Sequence, residues 1–259
     1  MIVLDRTEGG LRIVEQAAHA KMAADIARAW RRPEAMPESM WTSLIDAVEH
    51  HDDGWIEADQ SPQLDTDGRP LAFNTMPPLE HIRVWRSSVE RVRHRGPYAS
   101  LLVALHARWL YTRYAGDESE EDRSAVQGFI DELALVIDAS LSTLRQGDEA
   151  QRNAIDPTNL SYAQRLVAYF DALSLMMLGA IVTQDHAAPV AFGKQVQALH
   201  VTPLKKMWQF WPWPFRSPRV HVTVEAFDLA DARFPDVAAF QAAREAATAQ
   251  TLKWVLTGG

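Results

Sequence analysis

Apolar residues recur every three or four positions through most of the chain as far as about residue 182, a spacing typical of amphipathic helices. In the first such segment, Met22, Ile26 and Trp30 fall on one helical face. The pattern predicts helices over residues 15–30, 37–54, 77–95, 98–114, 124–146 and 161–182. Residues 59–78 and 153–159 lack this periodicity. The first is a long loop rich in Asp, Pro and Gly, of a kind that often carries function.

Both ends of the chain show β-type patterns. Residues 2–5 and 11–14 flank a Gly-rich turn and predict a short hairpin. Residues 204–211 and 219–227 have β-type composition, and residues 235–256 have a helical pattern again. The elements together predict a mainly α fold: a helical bundle with a short N-terminal hairpin and a small β-containing C-terminal appendage.

The length and composition suit a single large domain or a domain with an appendage. The chain has 259 residues, of which 47% are hydrophobic, so it can bury a sizeable core. We expect a helical domain over residues 1–190. A C-terminal β-hairpin plus helix over residues 191–259 would pack on the same core, so that the two form one compact unit.

Charge and residue content exclude several classes of protein. The formal net charge is −8 and no block of basic residues occurs, which argues against nucleic acid and membrane as partners. Cysteine is absent, which excludes disulfides, zinc ribbons, iron–sulfur clusters and a thiol nucleophile. No signal peptide is recognisable, and the longest apolar run, residues 173–182, is too short to span a bilayer. We expect a soluble cytoplasmic protein.

The most distinctive motif is Glu49-His50-His51-Asp52-Asp53-Gly54-Trp55, in which a histidine and a carboxylate are adjacent at the end of a helix. Neighbouring helical side chains point about 100° apart, so only a target between them can contact both. A metal ion is such a target, since imidazole and carboxylate are ordinary ligands of Zn, Fe and Mn. Such pairs also occur by chance, so the prediction depends on further ligands.

Further polar residues occupy positions where the helical pattern expects apolar ones, or lie at a helix start. They are His19, His81, His106 and Asp171. A buried carboxylate such as Asp171 costs several kcal/mol unless it is paired or coordinated. With His51 and Asp52, these residues fall on five predicted helices that could converge in a core and hold a metal. Taken singly, each histidine could be a core residue and Asp171 could pair with an arginine. The remaining histidines are interpreted as surface or structural residues: His50, His94, His186, His200 and His221.

His51-Asp52-Asp53-Gly54 resembles the His-Asp-x-Gly signature of the HD superfamily of metal-dependent phosphohydrolases. His19 and Asp171 resemble the first and last metal ligands of that superfamily. His81 and His106 resemble the additional pair of its two-metal branch, which includes the HD-GYP phosphodiesterases and the mixed-valent di-iron oxygenases. The resemblance implies an HD-like helical domain.

Nearly the whole chain also resembles an uncharacterised domain-of-unknown-function family, numbered 3891. The resemblance rests on the segment from His50 to Trp55, on Gly96-Pro97-Tyr98 with His106, and on Trp211-Pro212-Trp213-Pro214-Phe215. Two features depart from the HD enzymes. Trp55 stands where the signature often has a phosphate-binding Lys, and Gly96-Pro97-Tyr98 is not their Gly-Tyr-Pro motif.

The first functional hypothesis is a metal-dependent hydrolase that acts on a phosphate ester or anhydride of a small molecule. Four residues would hold one divalent metal: His19, His51, Asp52 and Asp171. Asp52 would bridge to a second metal held by His81 and His106. The set does not distinguish Fe, Mn, Zn and Mg. Such a centre generates hydroxide at neutral pH.

Other residues receive roles around this centre, each with an ordinary structural alternative. Asp53 is the candidate general base, or else a solvated carboxylate at a helix end. Arg83 and Arg86 are candidate phosphate ligands, or else surface residues. Trp55 and Trp85 would line the substrate pocket, or else fill the core.

Two other hypotheses use the same residues differently. In the second, the ligands hold two irons of a mixed-valent oxygenase, which the missing phosphate-binding Lys favours. In the third, the chain is a non-catalytic HD-like protein that binds a partner, or a second copy as a homodimer, through Trp211-Pro212-Trp213-Pro214-Phe215. The alternative for this segment is that its aromatic residues pack back onto the bundle.

Overall fold

The structure is a computed structural model that describes residues 1–113, 119–182, 189–192 and 195–259. His186, interpreted above as a surface or structural residue, lies outside these ranges. Within them, no helix combines the length and apolar character that crossing a bilayer requires.

The described helices follow the predicted segments closely. They are α1 (Gln16–Ala29), α2 (Glu38–His50), α3 (Trp55–Gln60), α4 (Pro78–Val92), α5 (Pro97–Tyr111), α6 (Glu120–Arg145), α7 (Glu149–Ala154), α8 (Pro157–Leu178) and α9 (Val237–Ala246). Proline opens α4, α5 and α8, where its missing N–H costs nothing. Gly179 ends α8 in a left-handed conformation, earlier than the helical pattern predicts. The sequence analysis missed two short helices, α3 and α7, and α7 is held by a capping box between Asp148 and Gln151.

Four helices form the part of the core that carries the candidate ligands, except for His81, which lies on α4. Helix α2 contacts α1, α5 and α8, and α8 also contacts α1 and α5. Ile26, Leu44, Leu102 and Phe170 contribute one fully buried side chain from each of these helices. The helices are therefore held together by apolar packing, which leaves the polar side chains on the same faces enclosed.

The strands form one large sheet and a separate hairpin. They are β1 (Ile2–Asp5), β2 (Leu11–Val14), β3 (Pro189–Phe192), β4 (Gln195–Ala198), β5 (His200–Leu204), β6 (Met207–Trp211), β7 (Arg219–Leu229) and β8 (Ala249–Gly258). The six-stranded sheet has the order β1-β2-β7-β8-β6-β5, and β3 pairs with β4 alone. All pairings are antiparallel except that of β6 with β8.

The prediction of a helical bundle with a separate hairpin and a small β-containing appendage is wrong. Strand β2 pairs with β7, so the N-terminal hairpin and the C-terminal strands belong to one curled sheet. The chain is still mainly helical, and α1 packs on β7. Strands that are close in sequence usually pair with each other, so nothing in the local pattern indicated this pairing. The division at residue 190 stays a prediction.

The C-terminal residues differ from their predicted helix. Helix α9 ends at Ala246, and the rest of the predicted segment is strand β8, which pairs with β7 from Ala249 to Thr257. This part of the chain contains Trp254 and Val255, which favour strands, and Trp254 becomes buried in the sheet. The gain from pairing and burial therefore outweighs the local helical pattern.

The aromatic segment Trp211-Pro212-Trp213-Pro214-Phe215, which begins at the last residue of β6, packs mainly onto the core. Phe215 is fully buried, and its ring lies 5.0 Å from that of Trp30 and 5.3 Å from that of Phe210. Trp211 is 59% exposed. Partner binding through this segment stays a hypothesis, for which Trp211 offers the exposed aromatic surface.

Candidate metal centre

Helices α1, α2 and α8 bring His19, His51, Asp52 and Asp171 to one place in the core. His19 lies near the start of α1, His51 and Asp52 directly follow α2, and Asp171 lies on α8. His19, His51 and Asp52 are at most 4% exposed. Local periodicity puts each residue on the inner face of its element, and helix packing then brings them together.

The Asp171 carboxylate lies among three imidazole rings. Its Oδ1 is 3.4 Å from His51 Nε2 and 3.7 Å from His19 Nε2. Its Oδ2 is 3.2 Å from His106 Nε2. One ligand atom each from His19, His51 and Asp171 lie within 4.8 Å of one another, a grouping that could hold a metal ion.

The Asp52 carboxylate also approaches His19 and His51. Its Oδ2 is 2.9 Å from His19 Nε2 and 3.5 Å from His51 Nε2. The Nε2 atoms of both histidines therefore face two carboxylates at once.

Hydrogen bonds at the far side of each ring determine which nitrogen carries the proton in the neutral histidine. The Val48 carbonyl can only accept, so His51 Nδ1 donates to it over 2.8 Å. The Ser174 hydroxyl donates to the Asp171 carbonyl and therefore accepts from His19 Nδ1 over 2.7 Å. In both neutral rings, Nε2 then presents a lone pair to the carboxylates, the arrangement common in metal-binding histidines.

The charges in this cluster depend strongly on one another. Burial lowers the pKa of the His51 imidazole, but the negative charges of Asp52 and Asp171 outweigh burial and raise it to about 10. Burial raises the pKa of the Asp171 carboxyl, but His106 and His51 hold it well below its usual range. The pKa of Asp52 is lowered by His51 and His19 against the effect of burial. Two ionised carboxylates at this depth need a positive charge between them, either a proton on His51 or a metal ion.

His106 and His81 lie beside this group. His106 is fully buried, and neither of its ring nitrogens makes a hydrogen bond to the described residues, although Nε2 approaches Asp171. The carboxylate that reaches His106 is therefore that of Asp171, where the sequence analysis expected Asp52 as the bridge. His81 Nδ1 is 2.8 Å from the Tyr111 hydroxyl, and burial lowers the pKa of His81 to about 4.

A cavity of about 320 Å³ opens onto these residues. His19, His51, Asp52, His81 and Asp171 line it together with Gln16 and Tyr111. The rest of its described wall is apolar, with aromatic and aliphatic side chains. The main apolar wall residues are Phe73, Trp55, Trp85, Trp109, Leu175 and Ile181. The ligand group thus faces a space of the size and character of small-molecule sites.

One family model matches the chain, over residues 1–231, and its description is Protein of unknown function (DUF3891). The chain belongs to the DUF3891 family. The match includes every residue of the candidate centre and ends before α9 and β8. No curated protein and no solved structure matches the chain.

The residues predicted around the centre of this DUF3891 protein fall into two groups. Trp55 and Trp85 line the cavity. Asp53 does not, because its carboxylate pairs with His50 Nδ1 at 2.9 Å. Arg83 is 62% exposed and pairs with Glu80, and Arg86 makes two hydrogen bonds to Glu132. The structure therefore does not bring Asp53, Arg83 or Arg86 to the cavity.

Gly54 allows the turn after His51 and Asp52 to pack against α4. A Cβ atom at Gly54 would lie 2.1 Å from the Val84 carbonyl oxygen and 2.7 Å from Ser88 Oγ. The Gly54 N–H donates to Ser88 Oγ over 3.0 Å. The φ of Gly54 is −65°, which suits any residue, so backbone conformation does not require a glycine here. The close approach of the α4 backbone does.

Three residues of the DUF3891 site were missed in the sequence analysis: Ser174, Tyr111 and Gln16. Ser174 lies one helical turn after Asp171, so helical spacing indicates that the two are neighbours. Tyr111 faces His81 across α4 and α5, and no local pattern shows this. Gln16 opens α1 as an ordinary polar residue and becomes a cavity residue through packing alone.

Proposed function

We propose that this DUF3891 protein is a metal-dependent hydrolase acting on a phosphate ester or anhydride. His19, His51, Asp52 and Asp171 would hold a divalent metal. The observation that carries the proposal is the orientation of the His19 and His51 rings. Their Nδ1 atoms are held by Ser174 and Val48, and their Nε2 atoms both face two carboxylates. Neutral imidazoles with ionised carboxylates are an ordinary donor set for Zn, Fe or Mn.

His106 and His81 support a second metal position. His106 is fully buried without a hydrogen bond to the described residues, which is costly for a histidine unless something else satisfies it. Asp171 would then be shared, because its two oxygens face His51 and His106 separately. The order of these residues along the chain is the one implied by the resemblance to the HD superfamily, and we propose a centre of that type.

The residues of the chain have distinct tasks in this proposal. A divalent metal, when bound, supplies a Lewis acid that lowers the pKa of water and neutralises phosphoryl charge. Val48 and Ser174 hold the two histidine rings in orientation, and the aromatic wall limits access of bulk water. Arg83 and Arg86 pair with Glu80 and Glu132, so the negative charge of the substrate would be neutralised at the metal centre alone.

Elemental analysis of protein purified without chelator tests the metal. Wild-type protein should contain one or two metal ions per chain, and His51→Ala or Asp171→Ala should remove them, because each deletes a ligand. His94→Ala, an exposed histidine beyond α4, is the matched control and should keep the metal. Equal metal content in all four proteins would refute the ligand assignment.

A screen with phosphomonoester, phosphodiester and anhydride substrates then tests the reaction, with Mn, Mg or Fe added to the loaded protein. Hydrolysis should depend on the metal and be lost in both ligand variants. A loaded protein that hydrolyses none of these substrates would contradict the hydrolase proposal.

The second candidate is a mixed-valent di-iron oxygenase. The observation favouring it is the cavity wall, whose described residues include aromatic rings but neither Lys nor Arg to bind a phosphate. Two irons per chain with an oxygen-dependent change in the absorption spectrum would support the oxygenase in place of the hydrolase.

A further inference from the structure

We infer that the cavity selects a small organic molecule whose body is apolar, whose charge is confined to the group at the ligand cluster, and which carries a neutral hydrogen-bonding group for Gln16. This inference rests on the proposed function, since the cluster would hold the reacting end. It names the substrate class, which a metal centre alone does not determine.

The wall of the cavity is the first reason. Trp55, Trp85, Trp109 and Phe73 present rings, and Leu175 adds an aliphatic side chain one turn from Asp171. Burying apolar surface against such a wall contributes roughly 25 cal/mol per Å², whereas each unpaired polar group of a ligand would lose its hydration there. At about 320 Å³, the cavity is near the small end of the range for ligand sites, ~300–1,000 Å³.

The charges of the cavity are the second reason. Two carboxylates, those of Asp52 and Asp171, line the cavity, and no Lys or Arg lines the part of it that the structure describes. The guanidinium of Arg113 stacks 4.4 Å from the Trp109 ring and donates to the Trp109 carbonyl, so it is held by the outer end of α5. An anionic group away from a metal would therefore meet negative charge without a partner, which disfavours nucleotides and polyphosphates.

Gln16 is the third reason. Gln16 is among the residues that line the cavity, it is only 2% exposed, and its Oε1 has no hydrogen-bond partner among the described residues. By contrast, the other neutral polar groups of the wall, His81 and Tyr111, bind each other. A buried carboxamide oxygen without a partner is costly, and a turn of the side chain toward the cavity would let a ligand hydroxyl or amide N–H satisfy it.

Calorimetric titration with two probes tests the inference, on metal-loaded protein and on the same protein after chelation. The first probe is 1-naphthol, which is apolar with one hydroxyl. The second is adenosine 5′-monophosphate, which is polar and anionic. We expect 1-naphthol to bind at least about tenfold more tightly than the nucleotide to chelated protein, since the apolar wall does not need the metal.

Matched variants locate the binding. Ile181→Trp should fill the cavity and abolish saturable 1-naphthol binding, and Ala168→Phe on α8 provides the same block from a second position. Val182→Trp adds the same bulk at a residue that is 94% exposed and should bind like wild type. Gln16→Met should weaken binding about fivefold, the effect of one neutral hydrogen bond.

The outcomes separate this inference from the proposed function. Tighter binding of the nucleotide to chelated protein, or unchanged 1-naphthol binding in both blocked variants, would overturn the inference. Metal content is measured on the same samples. Loaded protein that does not bind 1-naphthol refutes the substrate class alone, and 1-naphthol binding by protein that never retains metal refutes the proposed function alone.

Discussion

Two adjacent carboxylates of one motif have opposite environments. Asp52 points inward to His19 and His51, whereas Asp53 points to His50 at the edge of the core. Consecutive side chains at a helix end project in different directions, and the turn after α2 directs Asp52 to the cluster together with His51 but Asp53 to His50. Residue type alone could not say which of them joins the cluster.

Ser174 contacts the candidate centre through His19. Ser174→Ala removes the acceptor for His19 Nδ1 and the donor to the Asp171 carbonyl, so both residues lose orientation. We expect the metal dissociation constant, measured by competition with a chelator, to rise about 10- to 100-fold.

Ser140→Ala is the matched control, because Ser140 is also buried on a helix but lies on α6 away from the cluster. An equal effect of the two serine substitutions would show that Ser174 has no specific role in positioning the ligands.

At the level of elements, the site depends on how closely the turn after α2 approaches α4. The Gly54 N–H bonds to Ser88, and the turn holds His51 and Asp52 at a defined distance from Trp85 and the cavity. The contact depends on how the turn after α2 packs against α4, although the glycine itself is visible in the sequence.

Gly54→Ala should therefore destabilise the protein. The added methyl group would overlap the Val84 carbonyl oxygen, and we expect the free energy of unfolding to fall by about 2 kcal/mol in denaturant titrations.

Gly128→Ala is the control, since nothing lies within 4 Å of its added methyl group and the residue is inside α6. That substitution should raise stability by up to about 1 kcal/mol. If both variants were equally stable, the backbone around Gly54 would have room for a methyl group, and the prediction would be wrong.

At the level of the whole molecule, the β2–β7 pairing joins the two ends of the chain. Arg12 and Asp228 are register partners, 216 positions apart, and form two hydrogen bonds of 2.6 and 2.7 Å. The pair lowers the pKa of the Asp228 carboxyl, mainly through the hydrogen bond from Arg12.

This shift determines how the pair responds to pH. A carboxyl with a lowered pKa in the folded state stabilises above its unfolded pKa of about 3.9 and loses that effect as pH falls further. Asp228→Asn should therefore lower stability by roughly 1 kcal/mol at pH 7, and the difference from wild type should shrink below about pH 4. Thermal melts across this range measure it.

Asp5→Asn provides the comparison at the exposed pair Asp5–Arg69, where the side chain of Asp5 is 75% exposed. Its effect should be near zero at every pH. A pH-independent effect at Asp228 would mean that the pair does not stabilise the sheet.

Features that depend on neighbouring residues could be predicted from the amino-acid sequence alone. Helical spacing located most of the helices, and the adjacent His51 and Asp52 followed by Gly54 marked the candidate centre. These succeed because the period of a helix and the start of a helix at proline are local properties.

Helix and strand packing settled the partners of several groups that lie far apart in the chain. It put Asp171 beside His106, where Asp52 was expected, directed Arg83 and Arg86 away from the cavity, and joined β2 to β7. Each outcome depends on the packing of elements far apart in the chain, where the gain from burial and pairing outweighs local preference. Helices, ligand types and the two tryptophans of the cavity wall could therefore be predicted, whereas the pairing within the sheet and the partners of Asp53, Arg83 and Arg86 could not.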